Sequence, residues 1–294
     1  MSLPNLLIAG VPKAGTSTVH NYLSKHPDVF MARVKEPHYF TYKPCGWPKW
    51  AMQSMGEYQA LFEGGKGFRY VGEGSTWYAY SEEAAEAIRS HLPDVKIIIM
   101  LRNPADRAYS NWTFNLAGGW EPIRDFEEAL RIEDERREQR APWHLYYFHA
   151  GLYHRQVSTY FDLFGRNRVG VFLLEDLRRD REATLADICA FLNIDPMLEE
   201  VTSSVAHNKT YIFRSRTLRR FMRSNGTLKR LLRAAAPRIL WRPVRQFIVR
   251  ANRHRPVALS PTLRRELLEA YRPDVVRLEA LLGRSLTDVW YSDS

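Results

Sequence analysis

The chain has 294 residues, 45% hydrophobic and 26% charged, with two cysteines and a formal net charge of +10. That composition gives enough apolar surface for one large domain and excludes a low-complexity or disulfide-framed chain, so Cys45 and Cys189 read as packing residues. No run approaches the roughly 18 apolar residues of a membrane span, and Met1 to Leu7 lacks the basic and apolar regions of a leader, so a cytoplasmic protein is expected.

The first element is an apolar run, Leu6 to Ala9, that breaks into a loop holding Gly10, Pro12, Lys13, Ala14 and Gly15. Thr16, Ser17 and Thr18 then open a helix that Pro27 ends. Strand, glycine loop and helix N-terminus in this order make an oxyanion site, because backbone amides converge there and the helix end adds about half a positive charge. A Walker A loop would place its lysine directly after the second glycine, with Ser or Thr next for Mg²⁺. Here Lys13 precedes Gly15 by two residues, which weakens an ATP-dependent kinase reading. His20, on the first helix, reads as a packing or surface residue.

Val34 to Phe40 reads as loop or strand end. Pro44 to Gly67 reads as an insertion with a short helix over 55–62, and Arg69 to Glu73 as a strand before GSTWYAYS. Ser81 caps a predicted helix over 82–91, and Lys96 to Leu101 is a continuous apolar strand of the parallel-sheet type. RNPADRAYSNW follows it, so Arg102 and Ser110 lie at a strand's carboxyl end, where open α/β sheets collect ligands. A charge-dense helix is predicted over 126–140, an aromatic cluster at 143–148, a helix over 151–165, a strand over 169–174 with Glu175 and Asp176 at its end, and a helix over 184–192.

The last third changes character. Seventeen of the 43 Lys and Arg, and none of the 33 Asp and Glu, fall between Val201 and Arg265. Apolar stripes at Leu218, Phe221, Leu228 and Leu231, and again at Leu240, Val244 and Phe247, predict amphipathic basic helices. Ser260 and Pro261 open a terminal helix to Leu282. The predicted architecture is a single α/β domain, a P-loop-like parallel β-sheet flanked by helices over 1–212, with a helical C-terminal part over 213–294 that is basic at 213–256. An anionic partner follows from the charge: a polyanion-binding module is one reading, but the aromatics fit an apolar helix stripe better than a base-stacking platform, so contact with an anionic acceptor or membrane surface is expected and nucleic acid is not.

Four segments, in order, resemble the sulfotransferases that use 3′-phosphoadenosine 5′-phosphosulfate (PAPS), in particular the heparan-sulfate type. PKAGTST is similar to their 5′-phosphosulfate loop, KEPHYF to their catalytic segment, LRNPADRAYS to their 3′-phosphate motif and HNKTY to the late loop that closes over the nucleotide. The resemblance implies that Lys13, Ala14, Gly15, Thr16, Ser17, Thr18, Arg102, Ser110, Asn208 and Lys209 bind PAPS and its product, adenosine 3′,5′-bisphosphate (PAP), without a metal. It implies sulfuryl transfer to a hydroxyl, or an amine, of a glycan, glycolipid or small molecule. Glu36 is expected to be the general base, with its pKa raised towards neutrality by partial desolvation, and His38 to orient Glu36 or the acceptor, or itself to be the base. A lysine common in that family after the glutamate of GEGSTWYAYS is replaced by Gly74, and Lys35 is a candidate substitute. Trp47, Trp50, Trp77, Tyr78 and Trp143 read equally as acceptor platforms or as core.

Overall fold

The computed structural model describes residues 3–41, 51–197, 212–213, 253–254 and 258–292. Five strands, β1 (Leu6–Gly10), β2 (Val29–Met31), β3 (Tyr70–Gly74), β4 (Lys96–Leu101) and β5 (Val169–Leu173), form one sheet in the order β2-β3-β1-β4-β5. Every pairing is parallel, with Ile8 opposite Gly74 on one side and Ile98 on the other. The side chains of β1 and nearly all of β4 are buried, as continuous apolar runs in a two-sided sheet must be.

Helices cover both faces. On one side lie α1 (Thr16–Leu23) and α9 (Arg181–Leu192), joined where the Tyr22 hydroxyl meets Cys189 Sγ at 3.6 Å. On the other lie α3 (Glu82–His91), α7 (Tyr153–Phe164) and the terminal α10 (Pro261–Leu282). The chain leaves β1 towards β2 and β3, then returns to the opposite side of β1 for β4 and β5. The carboxyl ends of β3, β1 and β4 are therefore neighbours at the point where the winding reverses, the place such sheets bind ligands.

The remaining described elements are α2 (Met55–Ala60), α4 (Pro104–Gly118), α5 (Phe126–Arg131), α6 (Glu133–Glu138), α8 (Leu174–Arg179), β6 (Ile212–Phe213) paired antiparallel with β7 (Arg253–His254), and α11 (Thr287–Trp290). The predicted caps form: Ser81 Oγ accepts from the Ala84 amide at 3.0 Å and Ser260 Oγ from Leu263 at 3.1 Å. Two expectations are corrected. The helix over 126–140 is broken at Ile132, because Glu133 turns inward and its carboxylate accepts from the amides of Tyr147, Phe148 and His149 at 2.7 to 2.9 Å. Glu175 and Asp176 belong to α8, since the fifth strand ends at Leu173. The short edge strand β2 was not anticipated. Most of the basic segment 213–256 lies outside the described residues, and no helix among those described is long and apolar enough to cross a membrane.

Asn103 joins the sheet edge to α4. Its amide donates to Glu175 Oε1 at 2.9 Å, its Oδ1 caps α4 at the Asp106 amide at 3.1 Å, and its Nδ2 donates to the Trp290 carbonyl at 2.9 Å. Asn103→Ala is expected to lower unfolding free energy by about 2–3 kcal/mol, the sum of a lost cap and a stranded buried carbonyl, measured as a shift in urea midpoint.

Candidate active site

The loop after β1 is shaped by two glycines. A Cβ on Gly10 would lie 2.6 Å from Ala79 Cβ, so only glycine lets the β3–α3 loop cross the end of β1. Gly15 sits at φ 88° at the start of α1, a conformation that costs glycine nothing. The amides of Gly15, Thr16 and Ser17 make no hydrogen bond to other described residues, and the first turn of α1 carries no acidic side chain. Among the described residues they are free donors at a helix N-terminus. Ala14, by contrast, is fully buried and its amide is spent on the Val11 carbonyl at 3.3 Å, so its place in the loop is packing. Thr16 is also buried, whereas Ser17 is exposed.

Lys13 stands with its ammonium 4.2 Å from the centre of the Phe114 ring, on α4. Its carbonyl accepts from Arg102 Nη1 at 3.1 Å, which ties the loop after β1 to the end of β4. Burial, then the charges of Arg102 and Lys35, pull the Lys13 pKa down to about 8. Burial likewise depresses Arg102, and Arg178 adds to it; its Nε is buried without a partner among the described residues. The Tyr153 hydroxyl fixes the Arg102 backbone by donating to its carbonyl at 3.0 Å. Ser110 lies two turns along α4, half-buried, with its hydroxyl unbonded among the described residues. Cations crowded together with unspent donors define a site for an anion carrying more than one charge.

Glu36 lies beside this cluster. Its Oε2 accepts from the Thr76 amide at 2.9 Å and meets His38 Nε2 at 3.1 Å, and its Oε1 accepts from Lys35 Nζ at 3.1 Å. Its side chain is 26% exposed and that of His38 is 3% exposed, so the carboxylate faces the site and the imidazole stands behind it. Burial acts to raise the Glu36 pKa, but His38, Lys35 and the Thr76 amide outweigh it and hold the carboxyl down at about 2. The expected rise towards neutrality is thus corrected: desolvation is present, and its partners are stronger. The segment is also not extended, since Glu36 and His38 have φ of 63° and 55°. Such backbone costs about 1–3 kcal/mol per residue and persists only where neighbours enforce it.

Gly74, where the resembling family has lysine, faces α1: a Cβ there would meet the His20 ring and Ile8 at 3.6 Å, ordinary contact. His20 is buried, as expected of a packing histidine. The fold therefore gathers Lys13, Gly15 to Thr18 and Arg102 at the ends of β1 and β4, with Glu36 and His38 beside the end of β3. Asn208 and Lys209 lie outside the described residues, as do Trp47 and Trp50. Trp77 and Tyr78 are buried core, while Trp143 joins Tyr80, Arg137, His149 and Arg155 around a cavity of about 660 Å³ beside the β3–α3 loop. Thr76, Phe114 and Tyr153 were not foreseen: each reaches the site through packing that places distant segments together, although Thr76 lay inside GEGSTWYAYS and Tyr153 inside the helix expected over 151–165.

The geometry agrees with what the chain is similar to. The family model described as a sulfotransferase domain matches residues 3–224. A solved sulfotransferase from Alicyclobacillus acidocaldarius superposes with a TM-score of 0.74 at 30% identity, over 99% of this chain and 100% of that one. Among curated proteins, mouse carbohydrate sulfotransferase 15 is 22% identical over 70% of this chain and 47% of its own length. Human heparan sulfate glucosamine 3-O-sulfotransferase 6 is 32% identical over 39% of this chain and 31% of its own length. The chain spans less than half the length of these two curated relatives. With a family model over most of its length and a relative matched from end to end, the chain belongs to the sulfotransferase family.

Proposed function

We propose that the protein transfers the sulfuryl group of PAPS to a hydroxyl of a glycan or related acceptor by in-line displacement, without a metal. The observation that carries this is the convergence of Lys13 and Arg102, joined at 3.1 Å, with the free amides of Gly15 to Ser17. A 5′-phosphosulfate fits the loop amides and Lys13. A 3′-phosphate fits the fork of Arg102 and the Ser110 hydroxyl, and Arg102 Nε gains the partner that it lacks among the described residues. The named activities of the carbohydrate sulfotransferase relatives support a sugar hydroxyl as acceptor in preference to an amine.

In this reading the acceptor oxygen attacks sulfur while the bond from sulfur to the bridging phosphate oxygen breaks. Charge grows on that oxygen and Lys13 neutralises it, so catalysis is positioning plus electrostatic stabilisation. Glu36 takes the acceptor proton and His38 holds Glu36 in place. Lys35 supplies the cation that Gly74 cannot. In the free protein it restrains Glu36; the incoming sulfonate competes for its ammonium, and Glu36 becomes a better base once donor is present. The basic segment 213–256 is assigned to an anionic acceptor or membrane surface.

Lys13→Ala and Arg102→Ala are each expected to lower transfer from labelled PAPS by about 10²-fold or more with circular dichroism unchanged, and full activity in either would overturn the assignment. Glu36→Gln should lose a comparable factor in turnover while binding PAP like the wild type. An anion binds the protonated form of Lys13, so PAP affinity should fall as pH rises through about 8, and bound PAP should move the Lys13 titration, followed by NMR of labelled lysine, upwards.

A further inference from the structure

The segment carrying Glu36 and His38 has no strand ladder to hold it. Its alternate amides are donated singly to the end of β3 and the loop beyond: Glu36 to the Gly74 carbonyl at 2.9 Å, His38 to Ser75 Oγ at 3.0 Å and Phe40 to the Tyr78 hydroxyl at 3.5 Å. Two of these three acceptors are hydroxyls, which rotate, so their direction depends on what each donates to. Both turn to one group. Ser75 Oγ donates to Glu73 Oε2 at 2.9 Å, and the Tyr78 hydroxyl lies close enough to the same carboxyl to act on its titration. The Tyr58 hydroxyl, from α2, completes the shell at Oε1 at 3.2 Å. Glu73 is fully buried in β3, and among the described residues its side chain's hydrogen-bond partners are these hydroxyls, with no cation.

We propose that Glu73 is a positioning residue for transfer: its buried carboxyl aims the Ser75 and Tyr78 hydroxyls at the amides of His38 and Phe40, and so keeps Glu36 and His38 in left-handed backbone. This rests on the reading of Glu36 as the base. The surroundings of Glu73 favour its neutral form. Burial raises its pKa to about 8 against the hydrogen bonds of Tyr78, Ser75 and Tyr58, and the Glu36 charge adds to the rise. The titratable groups facing it are Tyr58 from α2, Tyr78 from the β3–α3 loop, Tyr160 from α7 and Glu36 itself. A neutral carboxyl both accepts and donates, which suits a shell of hydroxyls; an ionised one repels Glu36. The folded protein holds this proton to a higher pH than an unfolded chain would, so the contribution of Glu73 to stability falls as pH rises from about 4.5 towards 8, and ionisation at the upper end loosens the segment.

Glu73→Gln keeps the size and the ability to donate and accept, whereas Glu73→Leu strands the hydroxyls. At pH 7 Glu73→Gln is expected to keep most of the turnover and to lose the part of the alkaline fall near pH 8 that Glu73 ionisation causes. Glu73→Leu should lose about 10²-fold in kcat through misplacement of Glu36, with PAP affinity unchanged. Amide exchange should quicken at His38 and Phe40 in Glu73→Leu and at His38 in Ser75→Ala, but at neither in Glu73→Gln. That exchange is read without turnover, so it tests the network even if the wild type fails to transfer from PAPS, a result that would count against the proposed activity alone. Unchanged exchange in Ser75→Ala, an alkaline limb in Glu73→Gln identical to that of the wild type, or a folded Glu73→Leu with full kcat would each overturn the proposal. If Glu73→Leu does not fold, the other two variants decide.

Discussion

The structure depends on a concentration of positive charge that the described residues neutralise only in part. Lys13 and Arg102 meet where β1 and β4 end, with Lys35 close enough for its charge to depress Lys13. Burial makes Lys13 and Arg102 harder to keep protonated, and the charges of Arg102 and Lys35 add to the cost at Lys13. Such an arrangement favours an anionic ligand as its counterpart. The sheet order creates it: a strand order that places β1 between β3 and β4 brings three separate loops to one edge, so a lysine, an arginine and a carboxylate far apart in sequence become neighbours.

Beside that cluster stand two glutamates with opposite fates. Glu36 is drawn down by His38, Lys35 and the Thr76 amide against its burial; Glu73, one strand position before Gly74, is drawn up by burial against the hydrogen bonds of the hydroxyls around it. Identical side chains are thus driven in opposite directions by their surroundings, the pattern by which one site divides charged from neutral roles. The division also explains how two left-handed positions on either side of Pro37 survive without a glycine: the segment is pinned amide by amide to groups that a neutral carboxyl keeps aligned.

Much of this was legible in the sequence. The apolar run Lys96 to Leu101 read directly as a buried strand, and the strand, glycine loop and helix around Lys13 were equally legible as elements. Caps at Ser81 and Ser260 were equally plain, because a single side chain next to its own helix decides them. What failed depended on contacts distant in sequence. The break at Ile132 requires Glu133 to find amides fourteen residues away, which charge density along a helix does not reveal. The Glu36 pKa was misjudged in sign because burial was visible in principle, while the Thr76 amide and the fold of His38 back onto the carboxylate were not. The aromatics could be divided only by packing: Trp77 and Tyr78 went to the core and Trp143 to a cavity wall.

The central claim is that the cations at the ends of β1 and β4 recognise a nucleotide with phosphates at both its 5′ and 3′ positions. Calorimetric titration of the protein with PAP and with adenosine 5′-monophosphate, both without Mg²⁺, tests it most directly. The account predicts that PAP binds at least about tenfold more tightly, as one charge-assisted bidentate contact provides, and that Arg102→Ala removes the difference. Equal affinity for the two nucleotides, or tight binding confined to ATP with Mg²⁺, would contradict it.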